Sequence, residues 1–179
     1  ARAKSTIEKL VNEVFSKISS PITDEFGEYV VSTSAQDALE QSLCHIKVPL
    51  AELFKEQKSG NPGFDFHTES HSNIIAFGEA KYSASINPYT KALDQIIGFI
   101  GMCKDDMELT DLSNFVSGQA IDRALNGIKA YVAAFSINSQ NPTNILKNVL
   151  ESECLTTLVS YPELYLIGVE INDPRNCAE

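Results

Sequence analysis

Three charged residues, Asp65, Glu79 and Lys81, are candidates for a reactive site. Glu79 and Lys81 stand two positions apart near the end of "NIIAFGEAKYS", a short apolar segment typical of a β-strand. Because side chains alternate along a strand, Glu79 and Lys81 project from the same face as Ile75 and Phe77. The strand is apolar along its body and charged at its end, where parallel or mixed sheets commonly open into a ligand crevice.

The segment before it, "FDFHT", is a second candidate strand and carries Asp65. If the two strands are neighbours, Asp65 lies beside Glu79, and the repulsion between the carboxylates would be relieved by a divalent cation. Mg²⁺ and Mn²⁺ prefer such oxygen ligands, with water and substrate phosphate completing the shell. Lys81 could then position or deprotonate an attacking water, or stabilise the charge of a pentavalent transition state.

A helix is predicted next, from "NPYTKALDQIIGFIGM". Asn87 is its predicted N-cap and Pro88 its first helical residue, followed by an apolar stripe at helical spacing. Gln95 lies on this helix, and Lys91 lies one turn earlier on the same face. Lys91 is a candidate phosphate contact, with a solvated surface lysine as the alternative.

The remaining segments predict one α/β domain over residues 1–179, with a core at about 5–137 and a helix-strand extension at 142–172. The segment "IKAYVAAFSI" is apolar on both faces of a strand, which implies helices on both sides of the sheet. The predicted fold is therefore a three-layer α/β/α sandwich around a central mixed sheet. The other predicted elements are helices at 5–18, 35–43, 48–57, 111–127 and 142–152, and strands at 28–34 and 163–171.

Asp65, then Glu79-Ala80-Lys81 at the end of the next strand, then Gln95 on the following helix, resembles the PD-(D/E)xK nuclease superfamily. Gln95 is similar to the glutamine of its exonuclease-like branch. The resemblance implies a restriction-endonuclease-like fold and a Mg²⁺-dependent deoxyribonuclease in which Asp65 and Glu79 hold the metal. It also implies that Lys81 serves the nucleophilic water and that Gln95 orients Lys81 or contacts phosphate. Phe64 stands where the superfamily pattern has proline, a position that varies widely among its members.

A second resemblance covers the order of three segments. The layout of "FGEAKYS", "KALDQIIGFIG" and the acidic "DDMELTDLSNFV" is similar to the HamA-type nucleases of Hachiman antiphage systems. This likeness implies a nuclease in prokaryotic antiviral defence.

Two further residues could join the site. Nucleases of this superfamily often add a glutamate from the first helix to the metal shell, and Glu8 lies at the edge of the apolar stripe of the helix at 5–18. The sequence Ser5-Thr6-Ile7-Glu8 is also a capping box, which explains Glu8 without catalysis. His67 shares a strand face with Asp65 and could approach the metal, with a hydrogen-bonded structural histidine as the alternative.

The charge balance limits how the chain can bind nucleic acid. Its net charge is -10, and phosphate binding depends on Lys and Arg, which argues against a protein whose whole surface binds nucleic acid and leaves local basic patches open. A second domain or a protein partner would then supply basic surface. No apolar run approaches the roughly 20 residues that span a bilayer, and the four cysteines are widely scattered. We expect a soluble, cytoplasmic protein with reduced thiols.

The sequence therefore predicts a metal-dependent nuclease acting on DNA, in prokaryotic defence or repair. The alternative is a catalytically inactive nuclease-like domain that serves as a protein-interaction or assembly module, which the net charge of -10 would suit.

Overall fold

A computed structural model describes residues 21–51 and 63–170 of the chain. The helix predicted at 5–18, including Glu8, lies outside the described residues, as does most of the helix predicted at 48–57. In the described part of the helix predicted at 48–57, Val48 to Leu50 have no regular secondary structure and Ala51 is helical.

Five strands form one mixed sheet in the described part of the chain, in the order β1-β2-β3-β4-β5. β1 pairs with β2 and β2 with β3 in antiparallel fashion, whereas β3, β4 and β5 are parallel. The sheet curls into a half-barrel. The strands are β1 Ile46–Lys47, β2 Phe66–Glu69, β3 Ile75–Lys81, β4 Ala130–Ile137 and β5 Glu163–Glu170. The predicted mixed sheet is confirmed, and its curl departs from the flat layer of a simple sandwich.

Helices connect the strands and include two that were not predicted as separate elements, α3 and α6. No helix in the described residues is both long and apolar enough to cross a membrane. The helices are α1 Pro21–Leu43, α2 Tyr89–Gly101, α3 Lys104–Leu112, α4 Gly118–Leu125, α5 Pro142–Leu150 and α6 Glu153–Leu158.

Each face of the sheet is covered by helices, and every residue of β4 is buried, as its two-sided apolar pattern predicts. One apolar cluster joins α1 to alternate residues of β3 and β4. A second cluster joins the other set of alternate residues to α2, α3, α4, α5 and α6. The first includes Val31, Ala35, Leu39, Ala76, Ala80, Val132 and Ala134, and the second Ile75, Phe77, Leu93, Ile96, Tyr131 and Phe135.

The strand predicted at 28–34 is wrong, because these residues lie inside α1. The β-branched Val30 and Val31 favour a strand locally. The deciding pattern is longer: Val31, Ala35 and Leu39 recur every fourth residue and bury against the sheet. Burial against a partner surface outweighs the weak local preference of two valines.

Two helix boundaries also differ from prediction. Asn87 does not cap α2; Pro88 is the N-cap residue, and Asn87 Oδ1 accepts a hydrogen bond from the Asn138 N–H at 2.9 Å. The helix predicted at 111–127 is interrupted between Leu112 and Gly118. Ser117 begins a new helix there, since its side chain accepts from the Ala120 N–H at 3.2 Å.

A chain of polar contacts joins the two sides of the curled sheet. His45 lies 2.9 Å from Thr68 Oγ1 of β2 through Nδ1 and 3.2 Å from Tyr165 OH of β5 through Nε2. The Ser70 hydroxyl also donates to Glu163 of β5 at 3.2 Å. In a flat sheet β2 and β5 would stand roughly 14 Å apart, because β3 and β4 lie between them. These contacts therefore stabilise the curl.

Cys44, Cys103 and Cys154 are free in the part of the chain that the structure describes.

We expect Gly78→Ala to destabilise the fold by about 1–3 kcal/mol, because overfilling a buried site forces neighbouring groups to shift. A methyl group at Gly78 would overlap the ring of Phe66, which is fully buried on the neighbouring strand. Gly98→Ala is the matched control, since a methyl group there meets nothing within 4 Å and replaces a helical glycine. It should stabilise by about 0.5–1 kcal/mol. Urea denaturation of both variants measures the two effects, and equal stabilities would contradict the expected overlap at Gly78.

Candidate functional site

β2 and β3 bring Asp65 and Glu79 together, as the sequence predicts for neighbouring strands. Phe66 pairs with Gly78 in the antiparallel register, so Asp65 lies opposite Glu79 just before β2 begins. The Asp65 N–H donates to the Gly78 carbonyl at 2.9 Å, and Asp65 Oδ2 accepts from the Ala80 N–H at 2.8 Å. The aspartate is therefore fixed to β3 through both its backbone and its carboxylate.

Glu79 lies at the carboxyl end of β3 and is completely buried. Its Oε1 accepts a hydrogen bond from Lys81 Nζ at 2.6 Å. Its Oε2 is also buried and has no hydrogen-bond partner among the described residues. Buried polar atoms are nearly always paired, so this oxygen marks Glu79 as a position where a ligand would be favourable.

Glu28 of α1 joins the same cluster, with its Oε1 3.3 Å from Lys81 Nζ. Gly27 allows this approach, because a methyl group at that position would overlap the ring of Tyr82, just beyond β3. Glu28 was missed in the sequence because its segment was interpreted as a strand. The signal that could have found it is the helical spacing of the polar residues Glu25, Glu28, Tyr29 and Ser32.

The electrostatics of this carboxylate cluster, made of Glu28, Asp65, Glu79 and Lys81, are unbalanced. Burial raises the pKa of Glu79 well above its ordinary value; Asp65 raises it further and Lys81 opposes the shift. Burial raises the pKa of Glu28 as well. Burial alone would lower the pKa of Lys81, but the charges of Glu79 and Asp65 outweigh it and the pKa is raised. Among the described residues, Lys81 is the ammonium group that offsets these three carboxylates, so the cluster favours the uptake of positive charge.

The cluster can be tested for its fit to a divalent cation. The buried Glu79 Oε2 without a partner and the excess of carboxylates both suit a cation with oxygen ligands. No three His, Cys, Asp or Glu side chains in residues 21–51 and 63–170 are grouped as a complete metal cage. Mg²⁺ commonly uses only one or two protein carboxylates and takes water and substrate phosphate for the rest. Asp65 and Glu79 fit that donor set.

An open cleft lies beside the cluster, between α1 and the start of β2. Its empty space is about 330 Å³, including the part open to solvent. The cleft is lined by Glu25, Glu28, Tyr29, Ser32, Leu50 and Asp65. Among the described residues, its lining carries carboxylates and one aromatic ring and no lysine or arginine.

The structure connects the other predicted site residues less closely to the carboxylate cluster. Gln95 is half-buried on α2 and makes no hydrogen bond with Asp65, Glu79 or Lys81 in the described part of the chain. Lys91 is exposed on the same helix. Their roles stay predictions, and Glu8 lies outside the described residues.

His67 is completely buried, and its Nε2 lies 2.7 Å from Glu108 Oε2. This contact agrees with the hydrogen-bonded structural histidine considered from the sequence.

Comparisons of the chain with protein-family models, with curated proteins and with solved structures find no match. The geometry of the carboxylate cluster therefore carries the functional argument.

Without a bound cation, Glu79→Gln should stabilise the protein increasingly as pH rises above about 4.5. A carboxyl whose folded-state pKa is raised contributes stability that is present below its unfolded pKa and lost as pH rises through the folded value. Glutamine cannot ionise and can still accept the hydrogen bond from Lys81. Urea denaturation in a chelator between pH 4.5 and 8 measures the difference.

Glu151→Gln, at an exposed position, controls for the loss of one carboxylate from the chain. A stability difference between parent and Glu79→Gln that stays constant across this pH range would show that burial of Glu79 does not perturb its ionisation.

Proposed function

We propose that this chain is a divalent-metal-dependent nuclease of the PD-(D/E)xK type that hydrolyses phosphodiester bonds in DNA. The observation that carries the proposal is the juxtaposition of Asp65 and Glu79 on neighbouring strands, with Lys81 bonded to Glu79 at their common end. Glu79 is fully buried, whereas Asp65 and Lys81 are partly exposed. A buried carboxylate adds nothing to the hydrophobic core, whereas phosphate chemistry uses all three groups.

Asp65 and Glu79 would hold Mg²⁺ or Mn²⁺. When bound, the cation supplies a Lewis acid for a phosphoryl oxygen. Glu79 offers its buried Oε2, and the Asp65 carboxylate is oriented by the Ala80 N–H. Backbone bonds on both strands fix the two carboxylates, so little reorganisation is needed at the moment of reaction.

Lys81 acts in this proposal as an electrostatic partner of the reacting phosphate. Its pKa is raised, so the side chain keeps its proton at neutral pH. An ammonium can donate hydrogen bonds to a phosphate oxygen or to the attacking water, but it cannot accept the proton of that water. Stabilisation of transition-state charge therefore fits Lys81 better than general-base catalysis.

The fold gives the proposal general support. A mixed sheet with helices on both faces, and a site at the carboxyl end of β3, is compatible with a three-layer, restriction-endonuclease-like arrangement. Gln95 is proposed to complete the site from α2, and Lys91 to contact phosphate from the exposed side of the same helix.

A cytoplasmic role in prokaryotic defence or repair suits a nuclease of this kind. The cleft beside the site is lined by Glu25, Glu28 and Asp65, so its walls repel a phosphate backbone. We therefore propose that a protein partner or a further domain supplies the basic surface that holds DNA.

A second candidate function is a protein-interaction module with an inactive nuclease-like fold. The favouring observation is that the Lys81 ammonium is already bonded to Glu79 and Glu28. In that case the cluster would be a closed ion network with no catalytic role.

Site variants separate the two functions. Asp65→Ala and Glu79→Ala should each abolish Mn²⁺ binding and cleavage, because each removes a ligand. Lys81→Ala should keep Mn²⁺ binding, since an ammonium is not a ligand, while cleavage falls by about 10²-fold or more. Calorimetry measures binding, and cleavage is measured on linear, circular and single-stranded DNA and on RNA.

Lys104→Ala, at a partly exposed position on α3, is the matched control for the loss of one lysine. Full activity of Lys81→Ala would make the Glu-x-Lys pattern coincidental. A parent protein that cleaves no substrate with any divalent metal would favour the interaction module.

DNA binding by the isolated chain should be weak and only slightly dependent on salt. If only two or three phosphates are neutralised, the slope of log affinity against log salt should be about -2 to -3. Fluorescence anisotropy with a labelled duplex in Ca²⁺, over a range of salt concentrations, measures this slope. Tight binding with a steep slope would show that a basic surface exists on the chain itself.

A further inference from the structure

Glu108 of α3 is a buried carboxylate that bonds to two residues flanking Asp65 along the chain. Its Oε1 accepts a hydrogen bond from the Phe64 N–H at 3.0 Å. Its Oε2 lies 2.7 Å from Nε2 of the buried His67. The bonded residues come immediately before Asp65 and two positions after it.

These bonds are more than a means of attaching α3 to the core. Leu109 and Leu112 of the same helix already bury in the apolar cluster beneath the sheet. A carboxylate is costly to bury unless it is hydrogen-bonded, and it adds direction where a leucine would add only contact area. The two oxygens of Glu108 specify where the chain enters β2.

Asp65 depends on that entry point. On the β3 side, its N–H donates to Gly78 and its Oδ2 accepts from the Ala80 N–H. On the other side, its carbonyl accepts from the Ala51 N–H at 3.2 Å. A shift of the backbone at Phe64 or His67 would therefore move the Asp65 carboxylate relative to Glu79.

We infer that Glu108 is a positioning residue that holds the Asp65 carboxylate in place through Phe64 and His67. The consequence for metal binding rests on the proposed function, while the consequence for the position of Asp65 does not. Residues that hold a metal ligand through hydrogen bonds typically change metal affinity or activity by about 10–100-fold when they are replaced.

Glu108→Leu tests this inference against Asp105→Leu. Asp105 is a matched control, because it is the other buried carboxylate of α3 and bonds to Lys129 just before β4 and to Tyr131 within β4, rather than to Phe64 or His67. Amide hydrogen exchange of Ala80, compared with that of Val132 in the same protein, reports the bond to Asp65. Calorimetry with Mn²⁺ reports metal affinity.

We expect Ala80 exchange in Glu108→Leu to increase about 10-fold or more relative to Val132, with a loss of Mn²⁺ affinity of about 10-fold or more. Asp105→Leu should change the two amides together and leave the Mn²⁺ affinity of the folded protein unchanged. If Glu108→Leu does not fold, Glu108→Gln decides, with Asp105→Asn as its control. Glu108→Gln keeps an acceptor for the Phe64 N–H but loses one carboxylate oxygen. We therefore expect a smaller selective increase in the amide exchange of Ala80.

Equal changes of Ala80 and Val132 in the Glu108 variant would overturn the positioning role even if the parent cleaves DNA. A selective change at Ala80 in a parent that neither binds Mn²⁺ nor cleaves would uphold the positioning role and reject the nuclease proposal.

Discussion

Burial of the Glu79 carboxylate at the end of β3 is the constraint on which the rest of the site depends. Removing a charged group from water costs free energy unless a nearby positive charge or hydrogen bonds offset that cost. Lys81 supplies one such bond, yet Asp65 and Glu28 add further negative charge nearby. The fold holds this arrangement because Glu79 lies on a central strand, paired on both sides, where the backbone cannot move to expose it.

Other buried charges in the described residues show how differently the site is built. Lys129 is bonded to Asp105 and Asp106, and Glu69 accepts from both the N–H and the hydroxyl of Ser117. Those networks are closed, and they connect helices to strands. Glu79 alone among these groups has a buried carboxylate oxygen with no bond in the described part of the chain. A buried carboxylate oxygen without a hydrogen bond among the described residues is typical of a functional site, because it lowers stability without improving the core.

The negative charge of the carboxylate cluster affects both cation binding and substrate binding. A cluster rich in carboxylates favours a divalent cation, but the acidic cleft beside it disfavours the phosphates of DNA. One protein can have both properties if the cation is bound at one surface and the DNA is held by another. The contacts that stabilise the curl of the sheet do not involve the carboxylate cluster. His45 contacts Thr68 and Tyr165 and so joins β2 to β5.

The sequence indicated a mixed sheet and, if β2 and β3 were neighbours, the placement of Asp65 beside Glu79, because side chains alternate along each strand. It also determined the two-sided burial of β4. It could not determine that 28–34 is helical, since a four-residue burial pattern acquires meaning only against a surface that the sequence does not show. The helical spacing around Glu28 is present in the sequence, but neither its contact with Lys81 nor the contacts of Glu108 follow from local spacing. Those contacts depend on the tertiary structure, which sets how closely α1 and α3 approach the ends of the strands.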